Sequence, residues 1–99
     1  MITKTATIDW VIDHWTVMCA IDLGLGVTLQ KPVRLYGVCE PLQLTKKLLE
    51  KYVDCEVTLI ISEDKSMRYG QLLATITCEG TNLNTLILEK KYAQPYKRD

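Results

Sequence analysis

Apolar and polar positions alternate along the first third of the chain. In Thr16–Leu23, Val17, Cys19 and Ile21 fall on one side and Thr16, Met18 and Asp22 on the other, the period of a half-buried strand. Thr5–Val11 mixes β-branched and aromatic residues in the manner of a strand. "DLGLG" (Asp22–Gly26) holds two glycines free to take positive φ and predicts a turn or bulge. Val27–Val38 reads as a further strand run, within which Pro32, unable to donate to a ladder, marks an edge or a bulge. After Pro41 the period lengthens. Leu44, Leu48, Leu49 and Tyr52 stand at helical spacing, which predicts a helix over Leu44–Val53 with Thr45 as its cap. Cys55–Ser62 is a β-branched strand, Glu63–Gly70 a polar connection, and Gln71–Gly80 a strand ending at a glycine turn. Finally Leu83, Leu86, Ile87 and Tyr92 make one helical stripe, with Asn82 as its N-cap.

The order β-β-β-α-β-β-α is the connectivity of an OB-fold. The expected class is α+β, mainly β: a five-stranded Greek-key barrel with a helix between strands 3 and 4 and a short C-terminal helix. Ninety-nine residues without linker, repeat or low-complexity segment predict a single domain over 1–99. With 47% hydrophobic and 24% charged residues the composition is that of a globule. No apolar run approaches the roughly 18 residues that span a bilayer. "MITKTATIDW" lacks the apolar core of a signal peptide, so the expectation is a cytoplasmic protein with no membrane partner.

Twelve Lys and Arg balance twelve Asp and Glu. A chain that grips a nucleic-acid backbone usually carries excess positive charge, because its affinity comes largely from displaced counterions. Neutrality therefore favours a small ligand over a long polymer. The four cysteines form no CxxC, and the single His14 offers no zinc-finger spacing. Cys19, Cys55 and Cys78 lie in apolar or strand-like runs and read as reduced core thiols.

"VIDHWTV", "IDLGLGVTLQKPVRLYGVCEP", "RYGQLLATI" and "GTNLNTLILEKKYAQPY" follow one another with the spacing of motifs in the staphylococcal (micrococcal) nuclease family, and the chain resembles that thermonuclease-like OB-fold from about Ile8 to Tyr96. The family pattern reads roughly V-I-D-G-D-T-V, then R-L-x-G-I-D-x-P-E, then K-Y-G-R-x-L-A, then N-x-x-L-V-x-x-G-x-A-x-x-Y. The resemblance implies an ancestry in calcium-dependent phosphodiester hydrolysis. That chemistry uses acids to hold the metal, a carboxylate near the attacking water and two arginines on the phosphate. The short form is similar to versions found in bacteriophage genomes, which implies action against a host defence signal or defence protein.

Carried over position by position, the resemblance implies that most of this machinery is gone. Asp13 matches the first acid of the D-G-D turn, and Arg34 the first phosphate arginine. Trp15 falls on the second acid, Cys39 on the acid of G-I-D, Leu42 on the glutamate after the proline, and Gln71 on the second arginine. An indole, a thiol, an isobutyl group and a neutral amide thus replace three carboxylates and a guanidinium. A soft thiolate does not suit Ca²⁺. The implication is a chain with no catalytic residues, no metal and no cofactor: not an enzyme.

The retained residues carry the ligand expectation. Arg34, Arg68 and Tyr69 fall on family positions that contact the nucleotide, and Tyr96 lies near tyrosines that flank the base. Arginine offers a forked donor to phosphate, and tyrosine a stacking face with a hydroxyl. The expected function is binding of a nucleotide, a nucleotide-derived signal or single-stranded nucleic acid without hydrolysis. Two alternatives stand beside it. One is a protein–protein interaction or inhibitor domain working through the degenerate surface of Asp13, His14, Trp15, Cys39, Leu42 and Gln71, with an apolar patch around Trp15, Val38 and Leu42; self-association through that surface is part of this alternative. The other is residual metal-dependent cleavage. Individual residues also keep bland readings: Arg34 held by a structural carboxylate, Trp15 covering the barrel mouth, Trp10 in the core or half-buried, and the lysine runs as solvated faces. Lys91 replaces the family's glycine after the second helix, so that helix is expected to end differently.

Overall fold

The computed structural model describes residues 2–39, 41–62 and 71–95. In chain order these form β1 (Ile2–Asp13), β2 (Thr16–Gly24), β3 (Val27–Leu35), β4 (Val38–Cys39), α1 (Gln43–Glu50), β5 (Glu56–Ser62), β6 (Leu72–Cys78), β7 (Thr81–Asn82), α2 (Leu83–Glu89) and β8 (Gln94–Pro95). The main sheet runs β3-β2-β1-β5-β6-β7, and β3 also pairs with β6. That last pairing is parallel, Val33 to Leu72 through Leu35 to Ala74. It closes the five long strands into a barrel, with α1 between the third and fourth of them and α2 after the fifth. The fold is OB-like, mainly β, as the order of elements predicts.

Alternation fills the barrel. Val17, Cys19, Val33, Leu59 and Ile76 are wholly buried, and each is separated by one residue from the next inward position on its strand. Burial pushes the Cys19 thiol from its ordinary 9.0 to about 12, with Asp9 adding to the shift. All four cysteines are free thiols. Cys19 and Cys78 are buried, while Cys55 is half-buried against the core.

Trp10 departs from expectation. The β1–β2 register slips between Ile8 and Trp10. Such a bulge inverts the phase of the strand beyond it. Ile8 is therefore inside, Val11 packs on the core, and Trp10 is 48% exposed.

The helices close the structure. The N-cap of α1 is Leu42, without a side-chain cap bond, rather than Thr45. Thr45 lies inside the first turn, fully buried, and its hydroxyl donates to the Tyr92 carbonyl at 2.8 Å. This helix stops at Glu50, short of the predicted Val53. Beyond it the chain turns through Asp54 at φ 70°, whose N–H donates to the Ile8 carbonyl. Aspartate tolerates that left-handed conformation better than most residues.

At α2, Asn82 caps as predicted by accepting from the Thr85 N–H at 3.0 Å. The other end does not differ from a glycine-terminated helix. The Lys91 N–H donates to the Leu88 carbonyl and the Tyr92 N–H to the Ile87 carbonyl. That pair of bonds defines a Schellman motif, with Lys91 at φ 58° in the position glycine normally fills. Inside α2 the buried Asn84 joins three elements. Its Nδ2 donates to the Tyr36 and Ala74 carbonyls at 2.8 and 3.2 Å, and its Oδ1 accepts from the Ile76 N–H at 3.0 Å. The side-chain amide takes over where the β3–β6 ladder ends at Leu35.

Candidate functional site

The turn His14–Trp15 connects β1 to β2 across the pair Asp13–Thr16. Neither His14 nor Trp15 takes positive φ, so this turn makes no demand for the glycine that the nuclease-like pattern has there. Its geometry is fixed instead by Asp13, whose Oδ1 accepts the Trp15 N–H at 3.0 Å. An aspartate bonding the amide two residues on makes an Asx-turn. One oxygen of the retained acid is thus spent locally.

Trp15 is pinned from the other side by its carbonyl, which accepts the Leu35 N–H at 2.9 Å. Its ring is half-buried against the core. On that ring lies the Arg34 guanidinium, 3.7 Å from its centroid. Such a stack contributes about 0.5–2 kcal/mol, depending on how far it is desolvated. More important for chemistry are its donors. A guanidinium lying over an indole still has N–H donors around its rim that can fork onto an anion. No carboxylate among the described residues pairs with Arg34, so the structural ion pair that would have explained it is not found among them.

Cross-strand neighbours share a face. Thr16 pairs with Asp13 on one side and Arg34 on the other, and Arg34 with Leu73 beyond. These residues form one row. Thr16 belongs to the outward phase of β2 by alternation yet is 1% exposed, and its hydroxyl is buried without a hydrogen-bond partner. The sequence alone gave no sign of this orphaned group.

Other expected site residues lie apart from the row. Cys39 pairs with Gln94, and the Leu42 N–H donates to the Tyr92 carbonyl, which ties both to the segment that follows α2. Gln71 immediately precedes β6, half-buried, one residue before the partner of Val33. His14 is half-buried in its turn. Arg68, Tyr69 and Tyr96 lie outside the described residues. Among the described residues no three His, Cys, Asp or Glu side chains gather in a way that could hold a metal ion.

The apolar patch around Trp15, Val38 and Leu42 that would favour the protein-interaction alternative does not form: Val38 is 3% exposed and Trp15 lies under Arg34, leaving Leu42 at 53%. Exposed apolar side chains gather elsewhere, on the β2–β3 hairpin, where Leu23, Leu25, Val27 and Leu29 all face solvent. The signal was present in "DLGLG", where a turn carries leucines in place of polar residues.

Among the described residues no helix is long and apolar enough to cross a membrane. The architecture defines a class, the small OB-like closed β-barrel. No protein-family model matches the chain, and no curated protein matches it.

Proposed function

We propose that this barrel binds a phosphate-bearing ligand (a nucleotide, a nucleotide-derived signal or a short single strand) at the Arg34–Trp15 stack, and does not hydrolyse it. The observation that carries the reading is the guanidinium lying 3.7 Å above the indole, unpaired with any described carboxylate. Arg34 supplies the phosphate fork. Trp15, where the nuclease-like pattern has an acid, supplies the aromatic face that holds the guanidinium in place.

Loss of cleavage follows from the same substitutions. Each missing preorganised charge costs about 10²–10³ in rate. Asp13, the matching acid that remains, already accepts a backbone amide. Balanced charge favours a short ligand, because no broad positive field exists to hold a polymer.

Calorimetric titration with mononucleotides, cyclic dinucleotides and short single strands tests the binding. At least one should bind, and Arg34→Ala should weaken it by about tenfold or more, the loss of a charge-assisted contact. No binding by any of them, or binding indifferent to Arg34→Ala, refutes the proposal. A plasmid-nicking assay with Ca²⁺, Mg²⁺ and Mn²⁺ should show no chelator-sensitive cleavage. The exposed hairpin leucines favour a second reading, attachment to a protein, and lead to a more specific inference.

A further inference from the structure

We infer that the projecting β2–β3 hairpin is the interface of a two-fold symmetric dimer, in which the free edge of β3 pairs with the same edge of a second copy. β3 runs from Val27 to Leu35, but β6 pairs only with Val33–Leu35. Among the described residues, Val27–Pro32 therefore has a ladder on one side alone, with β2.

The direction of the unpaired backbone groups is fixed by two hydrogen bonds. The Leu35 N–H points to the β2 side, where it meets the carbonyl of Trp15 just before that strand, and the Tyr36 N–H points to β6, where it meets the Ala74 carbonyl. In an antiparallel ladder the direction alternates residue by residue. Counting back, Val33, Lys31 and Leu29 bond towards β2, while Thr28 and Gln30 present both N–H and C=O to the open edge. Pro32 presents a carbonyl only, and there the edge ends.

That set is self-complementary. With a two-fold axis through Leu29, Thr28 of each copy faces Gln30 of the other. Each such pair exchanges two hydrogen bonds, so the edge is satisfied by four. Leu29 then meets its own symmetry mate in a non-hydrogen-bonded pair, the closer kind, with Cα atoms about 4.5 Å apart. A symmetric contact of this kind closes on itself and does not propagate into a fibre.

The side chains fit the same occupant. Leu29 and Val27 continue the inward phase of Val33 and Leu35, but beyond the barrel no described residue closes over them: they are 42% and 52% exposed. Leu23 is 45% exposed. Leu25, at the tip, is fully exposed and sits at φ 57°, a conformation that favours glycine, asparagine or aspartate. Natural edges are usually guarded by charge or an inward lysine. From Val27 to Gln30 this one carries no charge, and Lys31 falls at the margin of the proposed pairing, opposite Val27.

Sedimentation velocity across a concentration series tests the inference. The wild-type chain should shift reversibly from monomer to dimer. Thr28→Pro removes an outward N–H without touching the β2 ladder, and Leu29→Lys sets two like charges against each other at the axis. Each should weaken dimerisation by about tenfold or more while far-UV circular dichroism stays unchanged. Mild oxidation of Leu29→Cys should give a reducible cross-linked dimer, whereas Thr28→Cys, whose opposite residue is Gln30, should not. A wild-type chain that stays monomeric throughout overturns the inference. So does a dimer unaffected by both edge substitutions, or equal cross-linking at the two cysteine positions.

Discussion

Replacing Asn84 by alanine removes three hydrogen bonds at the seam where β3 leaves β6, and the losses are unequal. The Ala74 carbonyl keeps the Tyr36 N–H. The Tyr36 carbonyl belongs to a residue 45% exposed and can turn to water. The Ile76 N–H cannot, because Ile76 is wholly buried and Asn84 Oδ1 is its partner. One buried orphan donor costs about 1–3 kcal/mol, and the lost contacts of a 5%-exposed side chain raise the total to about 2–4 kcal/mol. Urea denaturation should show the midpoint falling with an unchanged slope, the mark of lost stability in an unchanged fold. Asn84→Asp sharpens the test. It keeps the acceptor for Ile76 but points an anion at two carbonyl oxygens, which raises the carboxyl pKa in the folded state above its unfolded value near 4. The protonated form can still donate one bond. Its stabilising contribution is therefore present below the unfolded pKa and is lost as pH rises through the folded one. Asn84→Asp should be least stable near neutrality and recover, relative to wild type, on acidification. A loss below about 0.5 kcal/mol for Asn84→Ala, within the range of ordinary surface changes, would refute the role of the amide as the closing stitch.

Lys91→Gly should stabilise the protein by about 1 kcal/mol, the cost of holding a Cβ in the left-handed region, and raise Tm by several degrees in a thermal melt; no gain would mean that Lys91 makes compensating contacts. Thr16→Val exchanges a buried, unpartnered hydroxyl for a methyl and should be neutral or stabilising by about 1 kcal/mol in chemical denaturation, whereas a clear loss would show that the hydroxyl has a partner. Cys19 binds its proton more tightly folded than unfolded, so stability should fall as pH rises from 9 through about 12. Compared with Cys19→Val, wild type should show the steeper alkaline decline; parallel curves would contradict the burial of that thiol.

Much of the fold was readable because it rests on local periodicity. β2, β5, β6 and α2 fall close to their predicted bounds, since alternation and an Asn cap are properties of a few adjacent residues. The failures all required a tertiary fact. Trp10, read from the sequence as in the core or half-buried, is 48% exposed because a bulge leaves no mark in composition. Thr45 reads as a cap in the sequence because its true partner, the Tyr92 carbonyl, lies 47 residues away. Lys91 suggested a different helix end, yet its backbone follows the left-handed path at its own cost. At the site, the placement of Trp15 and Arg34 on neighbouring turns and strands was accessible from strand pairing, but their stacking was not. Nothing in "DHW" says that the aspartate would turn to its own backbone. At the hairpin, Pro32 marks an edge or a bulge in the sequence, whereas how much of β3 lacks a second neighbour among the described residues depends on what folds beside it.

The most direct measurement follows the Trp15 indole N–H resonance by NMR while a nucleotide panel is titrated into wild type and Arg34→Gln. Binding at the stack predicts that a phosphate-bearing ligand shifts the Trp15 signal saturably and leaves Trp10 unmoved in wild type, whereas in the variant it moves neither signal. A ligand that binds with Trp15 unperturbed, or a Trp15 signal that no member of the panel moves, contradicts a phosphate site at Arg34.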